Sequence, residues 1–320
     1  MHLRSTLPCV LAALGCLGFG TNAHAGEAIF THTYLAETLP KGALEVEQWV
    51  TQRSGRSQGL YQLNQFRSEL EYGISDRWTV SLYANAYRVN ARDNNSVASR
   101  NNYTAIGDGD EVSGGGPVTA GPYVPNALAL PLPSAHYRKS GFDSLSVESI
   151  YQLLSPYKDS MGLAAYVEAT AGPKTRELEL KLLAQKNLLN DKLVLAANVA
   201  IELEREKWLS DTPEKETTLT FSGGASYQVA AGWRLGLEMR NERVWEGGYT
   251  LAAGRRDYAA WFAGPTAHYA GRGFFVTAGY SQQLPWATAY SAAARDELVE
   301  HRVYKASEKG TVRVLAGLSF

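Results

Sequence analysis

The sequence predicts an all-β protein: a transmembrane, antiparallel, up-and-down β-barrel of about twelve strands, with short turns on one side and longer loops on the other. Three observations predict it. Apolar and polar residues alternate with period two along most of the chain, the pattern of a strand with one face in an apolar phase. After residue 25 no apolar run approaches the roughly 20 residues a membrane helix needs, whereas a barrel strand needs only about 9–11. The last ten residues, Thr311-Val312-Arg313-Val314-Leu315-Ala316-Gly317-Leu318-Ser319-Phe320, form one more such strand and end on an aromatic ring.

Residues 1–25 read as an export signal that is removed. His2 and Arg4 give a weakly basic start, residues 7–19 are apolar, and Ala23-His24-Ala25 fits the small-x-small cleavage rule. Lipoprotein processing at Cys16 is the rival, but Ala13-Leu14-Gly15 puts Ala where such sites prefer Leu. Cys9 and Cys16 both lie in this segment, so the mature chain has no disulfide, cysteine-ligated zinc or cysteine nucleophile. A net charge of -1 argues against nucleic acid as a partner. Residues 26–41 are expected to be a periplasmic N-terminal segment, and residues 42–320 the barrel.

The first strand is expected over 43–53, where Leu44, Val46 and Val50 oppose Glu45, Glu47 and Thr51. The second ends at Phe66-Arg67-Ser68-Glu69-Leu70-Glu71-Tyr72, and the third begins at Trp78 after a tight turn. From 92 to 141 the alternation stops in a segment rich in Asn, Ser, Gly and Pro, which only the extracellular side has room for. Its apolar part, 124–133, is expected to fold over or into the barrel mouth. Strands resume at 142–154, 161–171, 177–186, 193–206, 217–229, 233–245, 258–269, 274–284 and 311–320. The joints at 73–77, 155–160, 187–191, 230–232 and 270–272 are short and fall on the periplasmic side. Those at 54–61, 92–141, 207–216, 246–257 and 285–310 are longer and fall outside, with 172–176 the short exception.

A Lys or Arg facing lipid near the midplane costs about 2–4 kcal/mol, so the charged face of each strand must turn to the lumen. That assigns Glu45, Glu47, Arg67, Glu69, Glu71, Glu148, Glu168, Glu177, Glu179, Lys181, Glu202, Glu204, Arg234, Glu238, Arg240, Glu242 and Arg313 to a polar, acid-rich lumen. Two roles compete for them: a structural network of paired charges filling a narrow barrel, or the lining of a pore for cations or polar solutes.

Enzyme and cofactor chemistry find little support. His32, His136, His268 and His301 are not spaced as metal ligands, and Gly107-Asp108-Gly109-Asp110-Glu111 lacks the spacing of a calcium loop. Outer-membrane phospholipases have a similar strand number, yet the chain holds no His-x-Ser-Asn-Gly. No catalytic residue, metal or cofactor is assigned, and the chain is not read as an enzyme.

A final strand that stops on Phe320 resembles the closing strand of Gram-negative outer-membrane barrels. The resemblance implies that Phe320 is the signal read by the barrel assembly machinery, and that the neighbours are outer-membrane lipid and lipopolysaccharide. Further motifs are Glu37-Thr38-Leu39-Pro40-Lys41-Gly42 before the first strand, Tyr151-Gln152-Leu153-Leu154-Ser155-Pro156-Tyr157-Lys158-Asp159, and Phe262-Ala263-Gly264-Pro265-Thr266. Together they resemble an uncharacterised family of Gram-negative outer-membrane barrels and, more distantly, the transporter barrels associated with phenol and aromatic degradation. The function this implies is a passive channel or transporter for small molecules, the solute being unspecified. A closed structural or surface-interaction barrel is the alternative, and a lipid-acting enzyme the third.

Overall fold

The computed structural model describes residues 26–55, 60–92, 136–206, 214–299, 303–304 and 308–320. Twelve long strands form the wall: β1 (Leu44–Ser54), β2 (Leu60–Ser75), β3 (Trp78–Arg92), β4 (His136–Leu154), β5 (Gly162–Ala171), β6 (Thr175–Leu188), β7 (Leu193–Glu206), β8 (Glu214–Ala230), β9 (Trp233–Glu246), β10 (Arg256–Ala270), β11 (Phe274–Gln283) and β12 (Gly310–Ser319). Each pairs antiparallel with the next, and β12 pairs with both β11 and β1, so the sheet closes without an edge.

Side-chain parity follows the predicted register. On β3, Leu82 is 57% exposed and Tyr83 only 3%; on β9, Leu237 is 67% exposed and Glu238 only 6%. The outward band, which includes Leu70, Val147, Leu180, Leu235 and Val314, is the apolar surface a lipid-spanning barrel presents. Leu315, the residue that breaks the polar parity of the last strand, turns inward and packs with Trp49 and Phe275.

The joints on the side where β1 begins are mostly shorter than those on the other side, where the joint between β5 and β6 is the expected short exception. One strand boundary departs well from expectation. β4 starts at His136 rather than near 142, because Arg92 to Ala86 of β3 continue to pair with His136 to Phe142. The polar run Arg138-Lys139-Ser140-Gly141 conceals that extension from a reading of hydrophobic alternation. The expectation for 124–133 lies outside the described residues. The joint between β11 and β12 carries a short pairing of Thr288–Ala289 with β10 and a helical turn at Ala292–Glu297.

The largest departure concerns residues 26–41, expected in the periplasm. They run through the lumen in irregular conformation, with Ile29, Phe30, Thr31, His32, Thr33, Ala36, Glu37, Thr38 and Leu39 all buried. The physical reason is mutual. The segment brings apolar side chains and main-chain groups that lack strand partners, and the wall supplies matching cavities and polar side chains. At the rim Gly42 donates to the Gly73 carbonyl and Gly73 donates to the Ala43 carbonyl. A Cβ on Gly73 would stand 2.1 Å from the Pro40 carbonyl oxygen, so only glycine lets the chain leave the lumen here and turn into β1.

Candidate functional site in the barrel lumen

The wall grips the main chain of the plug, one strand after another. Thr277 on β11 donates its hydroxyl to the Ala28 carbonyl, and Arg313 on β12 donates to the Thr31 carbonyl at 2.6 Å. On β9 the Glu238 carboxylate accepts the backbone N–H groups of Thr31, His32 and Thr33, each at 2.8 Å, and the Thr31 hydroxyl at 2.6 Å. On β7 Asn198 reads both sides of one residue: its Oδ1 accepts from the Tyr34 N–H at 2.7 Å, and its Nδ2 donates to the Tyr34 carbonyl at 3.0 Å. Gln185 on β6 accepts from the Ala36 N–H at 3.0 Å, and Gln152 on β4 donates to the Ala36 carbonyl at 2.8 Å. Thr79 on β3 accepts from the Leu39 N–H at 2.8 Å.

Space is made for the plug as well. Phe30 lies over Gly224 of β8, where a Cβ would come within 2.6 Å of its ring, and Thr31 lies against Gly279 of β11, where a Cβ would come within 2.7 Å. Ile29 and Phe30 pack with Val194 and Ala196. Below the plug a vestibule of about 620 Å³ opens between the short turns, lined in part by Glu27, Glu37, Tyr157, Asp191, Arg234 and His268. Burial pushes the Glu37 carboxyl above its usual range; hydrogen bonds from Gln185, Tyr157 and the Gly26 N–H, and the Arg234 charge, offset part of that shift. Burial, then the neighbouring Glu37, pushes the Tyr157 phenol up.

Above and beside the plug the inward charges fall into networks. Arg67 stacks 3.4 Å from the centre of the Tyr83 ring and reaches Glu168 at 3.4 Å and Glu148 at 3.7 Å. Tyr83 donates to Glu148, and Tyr166 donates to Glu168 at 2.5 Å. Lys181 pairs with Glu179 at 3.0 Å and sits over the rings of Tyr34 and Tyr166. Arg240 pairs with Glu242 at 2.5 Å, and Glu308 ties Arg53 at 2.9 Å to Arg240 at 3.8 Å. Carboxylates also face each other across the ladders: Glu45 and Glu71, Glu47 and Glu69, Glu148 and Glu168, Glu179 and Glu202, Glu177 and Glu204. Toward the longer loops the inward face turns apolar, with Tyr61, Leu63, Tyr87, Val89 and Ala91 in one cluster. Val244, Tyr258, Ala260 and Phe262 belong to another.

Every charged residue that the sequence assigned to the lumen lies on the inner side of the wall; Glu71 and Arg234, near the short turns, are half-buried and the others are buried. Phe320 is exposed on the outside, and its N–H donates to the Leu44 carbonyl at the β12–β1 seam. Sequence reasoning passed over the plug's holders Thr79, Gln152, Gln185 and Thr277, and also Glu308. Polar, uncharged inward residues on successive strands, with inward glycines at 224 and 279, were the available signal.

His268 has the look of a catalytic base, because its Nδ1 lies 2.8 Å from the Thr277 hydroxyl and its Nε2 lies 3.3 Å from Glu27. Thr277 gives its proton to the Ala28 carbonyl, so Nδ1 must act toward it as a donor rather than as a base. Both side chains are buried against the plug. The geometry is that of a structural tie.

Comparison with known proteins agrees with this architecture. The COG4313 outer membrane channel from Pseudomonas putida F1 superposes with a TM-score of 0.55 at 14% identity, over 89% of this chain and 98% of that one. The NanC porin gives 0.47 at 10% identity, over 85% and 98%, and the KdgM porin 0.45 at 8% identity, over 86% and 99%. Among curated proteins no relative matches. The first of these likenesses shows the fold alone. A family model covers residues 22–320, and the chain therefore belongs to a family of unknown function, DUF6662.

Proposed function

We propose that this protein is a passive outer-membrane channel for small polar solutes, with a preference for cations, closed at rest by residues 26–41. The observation that carries this reading is the way the plug is held. Side chains of β3, β4, β6, β7, β9, β11 and β12 bind its main chain without a covalent tie. Such a segment can leave and return. Its departure would uncover a wall on which carboxylates outnumber bases, and a ring of carboxylates favours cations. In this reading residues 1–25 direct export, Phe320 is recognised by the assembly machinery, and the outer band meets lipid and lipopolysaccharide.

Single-channel recording on refolded protein tests it. Full-length mature protein is expected to stay mostly closed, and protein lacking residues 26–39 to conduct steadily, cations over anions. Silence from both, and from a variant lacking 95–138, would sink the channel reading. One observation favours the alternative of a closed structural barrel: Tyr61, Leu63, Tyr87, Val89 and Ala91 pack into a buried apolar cluster inside the wall toward the longer loops. Silence from all three proteins is the outcome that alternative predicts.

A further inference from the structure

One group of carboxylates stands apart from the networks around it. Glu45 faces Glu71 across the β1–β2 ladder, and Glu47 faces Glu69 two residues on. Carboxylate oxygens of Glu47, Glu69 and Glu71 all lie within 4.8 Å of one another. Like charges directly opposed on a sheet repel, and buried carboxylates call for a counter-charge. None arrives from the protein: among the described residues no Lys or Arg forms an ion pair with any of the four. The nearby Arg67 is engaged with Glu148 and Glu168, and Arg313 with Thr51 and the Thr31 carbonyl.

Two further atoms point to what is missing. Glu45 is 1% exposed; its Oε2 accepts from Ser319, while its Oε1 has no donor. Ser81, also 1% exposed, stands directly opposite Glu71 across the β2–β3 ladder, and its hydroxyl has no partner. Trp49 Nε1 donates to Glu47 at 2.8 Å and to Glu69 at 3.1 Å, fixing one oxygen of each. Beside them a cavity of about 50 Å³ separates the wall from the plug, with Glu47, Trp49, Glu69 and Glu71 on one side and Thr31, Thr33 and Leu39 among the plug residues on the other.

We infer that Glu47, Glu69 and Glu71, with the unpartnered Glu45 Oε1 and Ser81 hydroxyl beside them, hold a hard divalent cation of the calcium type between β1, β2 and the plug. The chemistry of the set selects it. All the donors are oxygens, with no thiol or imidazole among them, and that suits calcium rather than zinc or copper. Calcium takes oxygens at about 2.3–2.6 Å, so two ligands of one ion can stand about 5 Å apart, the spread found here. Magnesium demands a tighter octahedron and keeps its waters, which the small cavity disfavours. The site lies beside the β12–β1 seam, so a bound ion would fasten barrel closure and plug together. The inference stands whether or not the barrel conducts.

Terbium luminescence on the refolded mature barrel tests it, with Trp49 as the built-in antenna. Terbium is expected to give a saturable signal that calcium displaces and equimolar magnesium displaces poorly. The Glu47→Gln/Glu69→Gln pair should weaken binding roughly tenfold or more. Trp49→Phe should dim the terbium signal. Heat-modifiable migration on a gel certifies that each variant is folded, and Glu71→Gln serves if the double variant is not. Absence of saturable binding, unchanged affinity in the folded Gln variants, or magnesium competing as well as calcium would each overturn the assignment.

Discussion

Two groups of buried carboxylates, one wall apart, are handled in opposite ways. Glu148 and Glu168 are directly opposed across β4 and β5, as Glu47 and Glu69 are across β1 and β2. The first pair receives Arg67, Tyr83 and Tyr166, so its charge is answered from within the protein. The second receives one indole N–H between them. The difference teaches that acid-rich composition is not one property of this lumen. Some carboxylates are structural because their partners are built in, and some are left for something the chain does not supply.

The sharpest way to break the contrast is to turn the first group into the second. Arg67→Ala leaves two buried carboxylates unanswered and is expected to cost about 3–5 kcal/mol, read as a drop in the urea midpoint of the refolded barrel. Next is the plug's anchor. Glu238→Ala removes the acceptor for three main-chain N–H groups, and hydrogen bonds to a charged group contribute about 1.5–3 kcal/mol each. The plug should release, seen as faster proteolysis of residues 26–41 while the barrel core survives.

Glu37 is intermediate, with donors around it but a carboxyl that burial still pushes up. An acid whose docked form binds its proton more tightly stabilises docking at low pH and loses that contribution as pH rises through the docked value. Plug protection should therefore weaken from acid toward neutral pH, and Glu37→Gln should flatten the slope. The groups around Glu37 are Gln185, Tyr157, the Gly26 N–H and Arg234; of these Tyr157, itself pushed up, stays protonated in that window. The smallest effect has the opposite sign. Without calcium, Glu47→Gln/Glu69→Gln should raise barrel stability by about 0.2–1 kcal/mol, because a like-charge pair is relieved. A loss of stability there would show that the pair is satisfied in a way the contrast does not describe.

The wall was legible in the sequence because lipid on one face leaves each strand little freedom of register: Leu237 and Glu238 cannot exchange places without burying charge in hydrocarbon. The plug was not legible, for the converse reason. Residues 26–41 have no period, since their main chain bonds to side chains rather than to a ladder. Asn198, Gln185 and Thr79 look like any polar residue of a lumen until a main chain is seen lying against them. The metal-site candidates were legible as inward charges, but their lack of bases depended on where Arg67 and Arg313 came to rest.

Plug and first strand are one continuous stretch of chain, turned at the rim beside Gly73 of β2 and made before the strands that hold the plug. Its anchors at Glu238, Thr277 and Arg313 belong to the last strands synthesised. Residues 26–41 thus meet their full set of anchors only when the last strands are present. A chain halted short of β9 would lack all three, and its stopper would hang from the earlier strands alone.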